Sequence, residues 1–62
     1  MRNQAVIVIE FEDGRTVLAK VISFGMFSIE CSVVKEPGME PGTVYFMNKH
    51  SIRRMWRAPA GW

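Results

Sequence analysis

The sequence predicts an all-β domain, one small five-stranded antiparallel sheet of barrel-like shape, on three observations. Apolar residues recur at every second position or in short β-branched runs, which is the strand period and not the helical one. Pairs such as Asp13-Gly14, Pro37-Gly38 and Pro41-Gly42 cut those runs at short intervals. No stretch shows convincing helical spacing, and the 62 residues suffice for a single domain over 1–62.

The run from Ala5 to Glu12 is β-branched, stiff at χ1 and short, and predicts a first strand over about 5–12. Asp13-Gly14 is the pair that tolerates positive φ at both central positions of a type I′ turn, so the chain reverses there. A second strand over about 15–24 puts Val17, Ala19 and Val21 on one face and Leu18, Lys20 and Ile22 on the other. Ala19 is small enough for a sharp bend or a close crossing, and Gly25 marks a kink or bulge. Phe27, Ile29, Cys31 and Val33 then alternate with Ser28, Glu30 and Ser32, the pattern of a half-buried third strand over about 27–34.

Two Pro-Gly pairs exclude regular structure over 35–42 and predict a surface loop. The fourth strand, about 43–48, is apolar on both faces at Val44, Tyr45, Phe46 and Met47. A small antiparallel sheet normally keeps one wet face, so this pattern predicts that another subunit covers the outer side. After the polar turn Asn48-Lys49-His50, a last strand over about 51–57 places Ile52, Arg54 and Trp56 on one face and Arg53, Met55 and Arg57 on the other. The end, from Ala58 to Trp62, carries a proline and a glycine and is expected to be irregular.

Composition narrows the function classes. Hydrophobic residues make up 48% of the chain and five are methionine, the upper end for a soluble domain. No apolar run reaches the length of a membrane span, and Met1-Arg2-Asn3-Gln4 lacks the apolar core of a signal peptide. The expectation is a soluble, cytoplasmic protein in a reducing compartment, with no membrane partner. Cys31 is the single cysteine and cannot close an intrachain bridge; with His50 it falls short of the four ligands of a structural zinc site. No metal or other cofactor is expected, which leaves self-association as the common way for so short a chain to gain stability. A net charge of +2 permits a nucleic-acid partner without requiring one. One histidine with no second acid or base at a useful spacing argues against an enzyme, and no catalytic residue is assigned.

Several residues at the bends follow a known pattern: Asp13-Gly14 at the hairpin, Ala19 at a position that is usually glycine, Ser23-Phe24-x-x-Phe27-x-Ile29, and Lys49-His50-x-Ile52. In this order and spacing, over about residues 6–57, they resemble the Sm-like (LSm) family and within it the bacterial Hfq type. The resemblance implies a strongly bent five-stranded barrel whose fourth strand pairs with the fifth strand of a neighbour, closing a homo-oligomeric ring of six or seven subunits. It implies that the loops before the third and fifth strands line the pore and bind single-stranded, U-rich RNA, in the manner of an RNA chaperone or riboregulator. Carried over residue by residue, Phe27 matches the aromatic that stacks on a base, a sequence-tolerant contact worth about 1–3 kcal/mol. Lys49 and His50 match the pore residues that meet base edges and phosphates, and Met26 and Asn48 stand at flanking contact positions.

The departures are specific. Gly25 and Met26 stand where Hfq carries aspartate and glutamine, and Asn48 where it carries tyrosine. Met26 offers apolar contact only. The amino-terminal helix is absent or very short, because Met1 to Ala5 leave little room for it, and the Pro-Gly loop is longer than in typical Hfq. Glu10 replaces the aromatic of the A-rich site on the opposite face, and that site is not expected. Each sharp reading has a plain one beside it. Phe27 shares its alternation with Ile29 and Cys31 and is equally a core aromatic; Lys49 and His50 are equally solvated turn residues. Arg53, Arg54 and Arg57 are either a phosphate stripe or edge protection, and Trp56 reads as packing at the barrel end. Cys31 reads as a small buried hydrophobe. The alternative function is a protein-interaction or assembly module with an SH3-like barrel, using Tyr45, Phe46 and Trp56 as its surface.

Overall fold

The computed structural model describes residues 5–59. The expected lack of an amino-terminal helix, and the placement of Trp62, lie outside the described residues. Five strands follow one another: β1 Val6–Phe11, β2 Thr16–Phe24, β3 Ser28–Lys35, β4 Val44–Asn48 and β5 Ile52–Arg57. Each falls within about a residue or two of its expected bounds. They form one antiparallel sheet in the order β4-β3-β2-β1-β5. Among the described residues the sheet is open, with β4 and β5 as its two edges, and no barrel is closed by hydrogen bonds within them.

The period-two pattern decides which face is buried. Ile9 and Phe11 on β1, Val17 and Ala19 on β2, Ile29 and Cys31 on β3 and Met47 on β4 form one buried cluster. Ile7, Val21, Tyr45, Ile52 and Met55 pack against it. Two register shifts, one with Val34 of β3 as the extra residue opposite Leu18 and Ala19 and one with Ile22 of β2, supply the extra bend that wraps the sheet around this core. The fully buried Ala19 is the small residue that such a bend needs.

Two details differ from the sequence reading, each for a local reason. The β1–β2 reversal is not a two-residue type I′ turn: Phe11 and Arg15 flank a three-residue loop. Phe11 N–H donates to the Arg15 carbonyl at 2.8 Å and Gly14 N–H to the Phe11 carbonyl at 2.9 Å. Only Gly14 has positive φ, at 93°, so the loop is a type I turn closed by a glycine bulge. On β5, Ile52 pairs with Phe11 while Arg54 pairs with Glu10, which makes Arg53 an extra residue. The bulge breaks the alternation: Ile52 and Met55 both turn to the core, and Trp56 lies on the outer side with Arg54, whose guanidinium sits 5.0 Å above its ring. Trp56 is therefore a partly exposed surface residue and not core packing.

The 35–42 segment is two tight turns in series. Met39 N–H donates to the Glu36 carbonyl at 3.1 Å and Thr43 N–H to the Glu40 carbonyl at 3.2 Å, with Gly38 and Gly42 at φ of 80° and 90°. Proline followed by a positive-φ glycine is the type II arrangement. Glu36, its side chain only 9% exposed, clasps this loop to the sheet. It accepts from the Tyr45 hydroxyl at 2.8 Å and from Arg15 Nη1 at 3.1 Å.

Candidate nucleic-acid interface

The candidate surface is built from two turns at one end of the sheet. Gly25 N–H donates to the Ser28 carbonyl at 2.8 Å, which leaves Met26 and Phe27 as the two residues at the hairpin tip. A Cβ on residue 25 would lie 3.1 Å from that same carbonyl oxygen, closer than ordinary packing, so glycine keeps the tip this narrow. Both tip side chains face solvent, Met26 at 82% and Phe27 at 68% exposure. The core reading of Phe27 is thereby overturned: β3 begins at Ser28, and the aromatic sits one residue beyond the alternation it shared on paper.

The second turn is a single 3₁₀ turn over Lys49–Ser51. Asn48 caps it, its Oδ1 accepting from His50 N–H at 2.8 Å, as a short amide side chain does at the start of a helical turn. The cap occupies that oxygen and leaves the Asn48 NH₂ to donate to a ligand. Lys49 N–H donates to the Phe27 carbonyl at 2.9 Å, and Ser28 pairs with Asn48 across β3 and β4. The two turns are thus joined backbone to backbone, with an exposed aromatic on one side of the junction and an exposed lysine on the other. Among the described residues, Lys49 has no carboxylate partner.

His50 is exposed but faces another neighbourhood. It lines a cleft of about 290 Å³ with Phe11, Glu12, Asp13, Arg15 and Ser51, on the side of the β1–β2 hairpin. The structure therefore groups Met26, Phe27 and Lys49 directly, ties Asn48 and His50 together through the cap, and sets His50 toward the hairpin. Phe24, part of the Ser23-Phe24-x-x-Phe27 motif but given no contact role from sequence, is a further exposed aromatic beside the tip. It faces the core side, opposite the buried Ile29, but stands at the uncovered end of the row. Alternation alone places it on the outer face with Leu18, Lys20 and Ile22; the extra residue Ile22 turns it to the core side.

Elsewhere Arg15, Arg53 and Arg54 pair with carboxylates, whereas among the described residues Lys20, Lys35 and Arg57, like Lys49, do not. Arg54 Nε meets Glu10 Oε1 at 2.6 Å, and Arg53 lies 3.8 Å from Glu10 and 3.7 Å from Glu12. Two of the three β5 arginines are tied to β1 carboxylates, which favours edge protection over a free phosphate stripe. The Asp13 carboxyl is held below the usual carboxylate range, chiefly by the Arg15 backbone N–H, with the Arg15 guanidinium adding to it. Burial pushes the Tyr45 phenol up, and its bond to Glu36 adds to the shift. Burial, with Glu30 nearby, likewise raises the Cys31 thiol, the opposite of what a nucleophilic thiolate needs. Among the described residues no three His, Cys, Asp or Glu side chains gather in a metal-holding group. No helix in them is long and apolar enough to cross a membrane.

Comparison with protein-family models, curated proteins and solved structures finds no match. The functional reading rests on the residues and their geometry.

Proposed function

We propose that this chain is a ring-forming Sm-like protein of the Hfq type that binds single-stranded, U-rich RNA through Met26, Phe27, Asn48, Lys49 and His50, as an RNA chaperone and without catalysis. The observation that carries the reading is the 2.9 Å bond from Lys49 N–H to the Phe27 carbonyl, which sets an exposed aromatic beside an exposed lysine that has no carboxylate partner among the described residues. A base stacks on Phe27, Lys49 meets the phosphate, and the Asn48 amide and His50 ring bond base edges. The strand order supports the ring: it leaves two edges, and β4 carries no charged residue while exposing Val44 and Phe46. In this reading β4 of one copy pairs with β5 of the next, which closes the barrel-like sheet between copies and leaves no open edge. Repetition around six or seven copies turns weak single sites into an avid one.

The test is a fluorescence-anisotropy titration of labelled oligo-U at two salt concentrations, with the native chain and with His50→Ala and Lys49→Ala. Binding that weakens with salt, as release of counterions from phosphates requires, and that falls in both variants supports the reading. Absence of binding at low salt overturns it. The exposed Phe46 and Val44 would then favour the alternative, an assembly or protein-interaction module with a barrel like that of SH3 domains and no RNA.

A further inference from the structure

The β2–β3 tip carries a group, Met26, whose chemistry goes beyond the apolar contact that the RNA reading gives it. Met26 has the highest exposure among the exposed large apolar side chains of the described residues, 82%, at the point of a turn that Gly25 and Ser28 hold narrow. The other described methionines are shielded. Met47 is 3% exposed and its sulfur accepts from the Cys31 thiol at 3.7 Å, and Met39 and Met55 are each partly buried. An oxidant in solution therefore meets one thioether far more readily than the rest.

We infer that Met26 is an oxidation-sensitive modification site whose conversion to the sulfoxide weakens RNA binding at the adjoining Phe27; this rests on the RNA reading above. The co-reactant is hydrogen peroxide. The thioether sulfur attacks one peroxide oxygen, an S–O bond forms as the O–O bond breaks, and the departing hydroxide takes the proton of the transferred oxygen and leaves as water. Sulfur loses two electrons and the peroxide gains them. The product is a polar, strongly hydrated side chain beside the stacking platform, and a base that packs there must strip water from it. Methionine sulfoxide reductases return the thioether, so the change is reversible. Narrowness of the tip matters here: with no contact between Met26 and the core, oxidation leaves the fold intact and alters the surface alone.

The experiment exposes the full chain to dilute hydrogen peroxide, maps sulfoxide at each methionine by peptide mass spectrometry, and titrates the same samples with labelled oligo-U. The expected result is oxidation of Met26 well before Met39, Met47 and Met55, a loss of affinity of about tenfold in step with it, and recovery after reductase treatment. In Met26→Leu the readout is the ratio before and after peroxide, which should stay at one whatever its starting affinity. Full oxidation of Met26 with unchanged affinity overturns the inference, as does prior oxidation of Met39 or Met55, or an equal peroxide-dependent loss in Met26→Leu. If the untreated chain does not bind oligo-U, the RNA reading itself fails and takes this inference with it.

Discussion

The two hairpin tips of this molecule are made of opposite materials. At the β1–β2 tip every charged group is used by the fold: Asp13 accepts from the Arg15 N–H at 2.9 Å and from Arg15 Nε at 3.0 Å, and Arg15 reaches on to Glu36 and lies 4.6 Å above the Phe11 ring. At the β2–β3 tip the turn is closed by backbone alone, and Met26 and Phe27 stand in solvent. The first tip satisfies itself. The second exposes apolar surface at a place where folding gains nothing from it, and such surface next to a lysine without a carboxylate partner is what a stacking partner with phosphates would use.

Substitutions at the two tips should separate binding from stability. The largest effect is expected for Phe27→Ala: oligo-U affinity falls by about 1–3 kcal/mol for each base stacked, while the urea midpoint changes little because the exposed side chain lies outside the core cluster. Anisotropy and urea denaturation on the same preparation check both halves. Next comes Glu36→Ala, which frees Arg15 and leaves the partly buried Tyr45 hydroxyl without its acceptor. A stability loss of about 1–3 kcal/mol is expected, with RNA binding retained, and denaturant unfolding measures it. Gly14→Ala is smaller, at about 1–2 kcal/mol, since alanine must adopt the positive φ that glycine holds at 93°; its thermal midpoint drops and its RNA affinity does not.

The smallest effect is the pH dependence of Asp13. Its carboxyl is lowered from the ordinary value of 3.8, so the folded state favours the charged form. Its contribution is present above that value and fades as pH falls through the lowered one. At this exposed position the native chain and Asp13→Asn should therefore converge in stability only on acidification below about pH 4.

Most of the sheet was legible because strand period and turn chemistry agree along this chain. The β-branched run of β1, the alternation of β3 and the Pro-Gly turns each pointed to one structure. What escaped the sequence was set by single inserted residues. Arg53 bulges out of β5 and turns Ile52 and Met55 to the same face, which no period-two count foresees. Gly14 takes the positive φ by itself, so the hairpin needs three loop residues and not two. Phe27 looked like core because its spacing matched Ile29 and Cys31, but the strand starts one residue later. Whether β4 and β5 meet across copies was not legible in one chain, since it depends on contacts that only assembly supplies. The candidate site was half legible: the sequence pointed to the two turns, but not to the His50 side chain facing the β1–β2 hairpin.

The most direct test of the contrast is an amide NMR titration of the native chain with oligo-U, following Gly25, Phe27, Lys49, Asp13 and Gly14 in one experiment. Large, saturable shifts are expected at Gly25, Phe27 and Lys49, with little change at Asp13 and Gly14. Shifts centred on Gly14, or none at Phe27 and Lys49 at saturating RNA, would contradict this contrast.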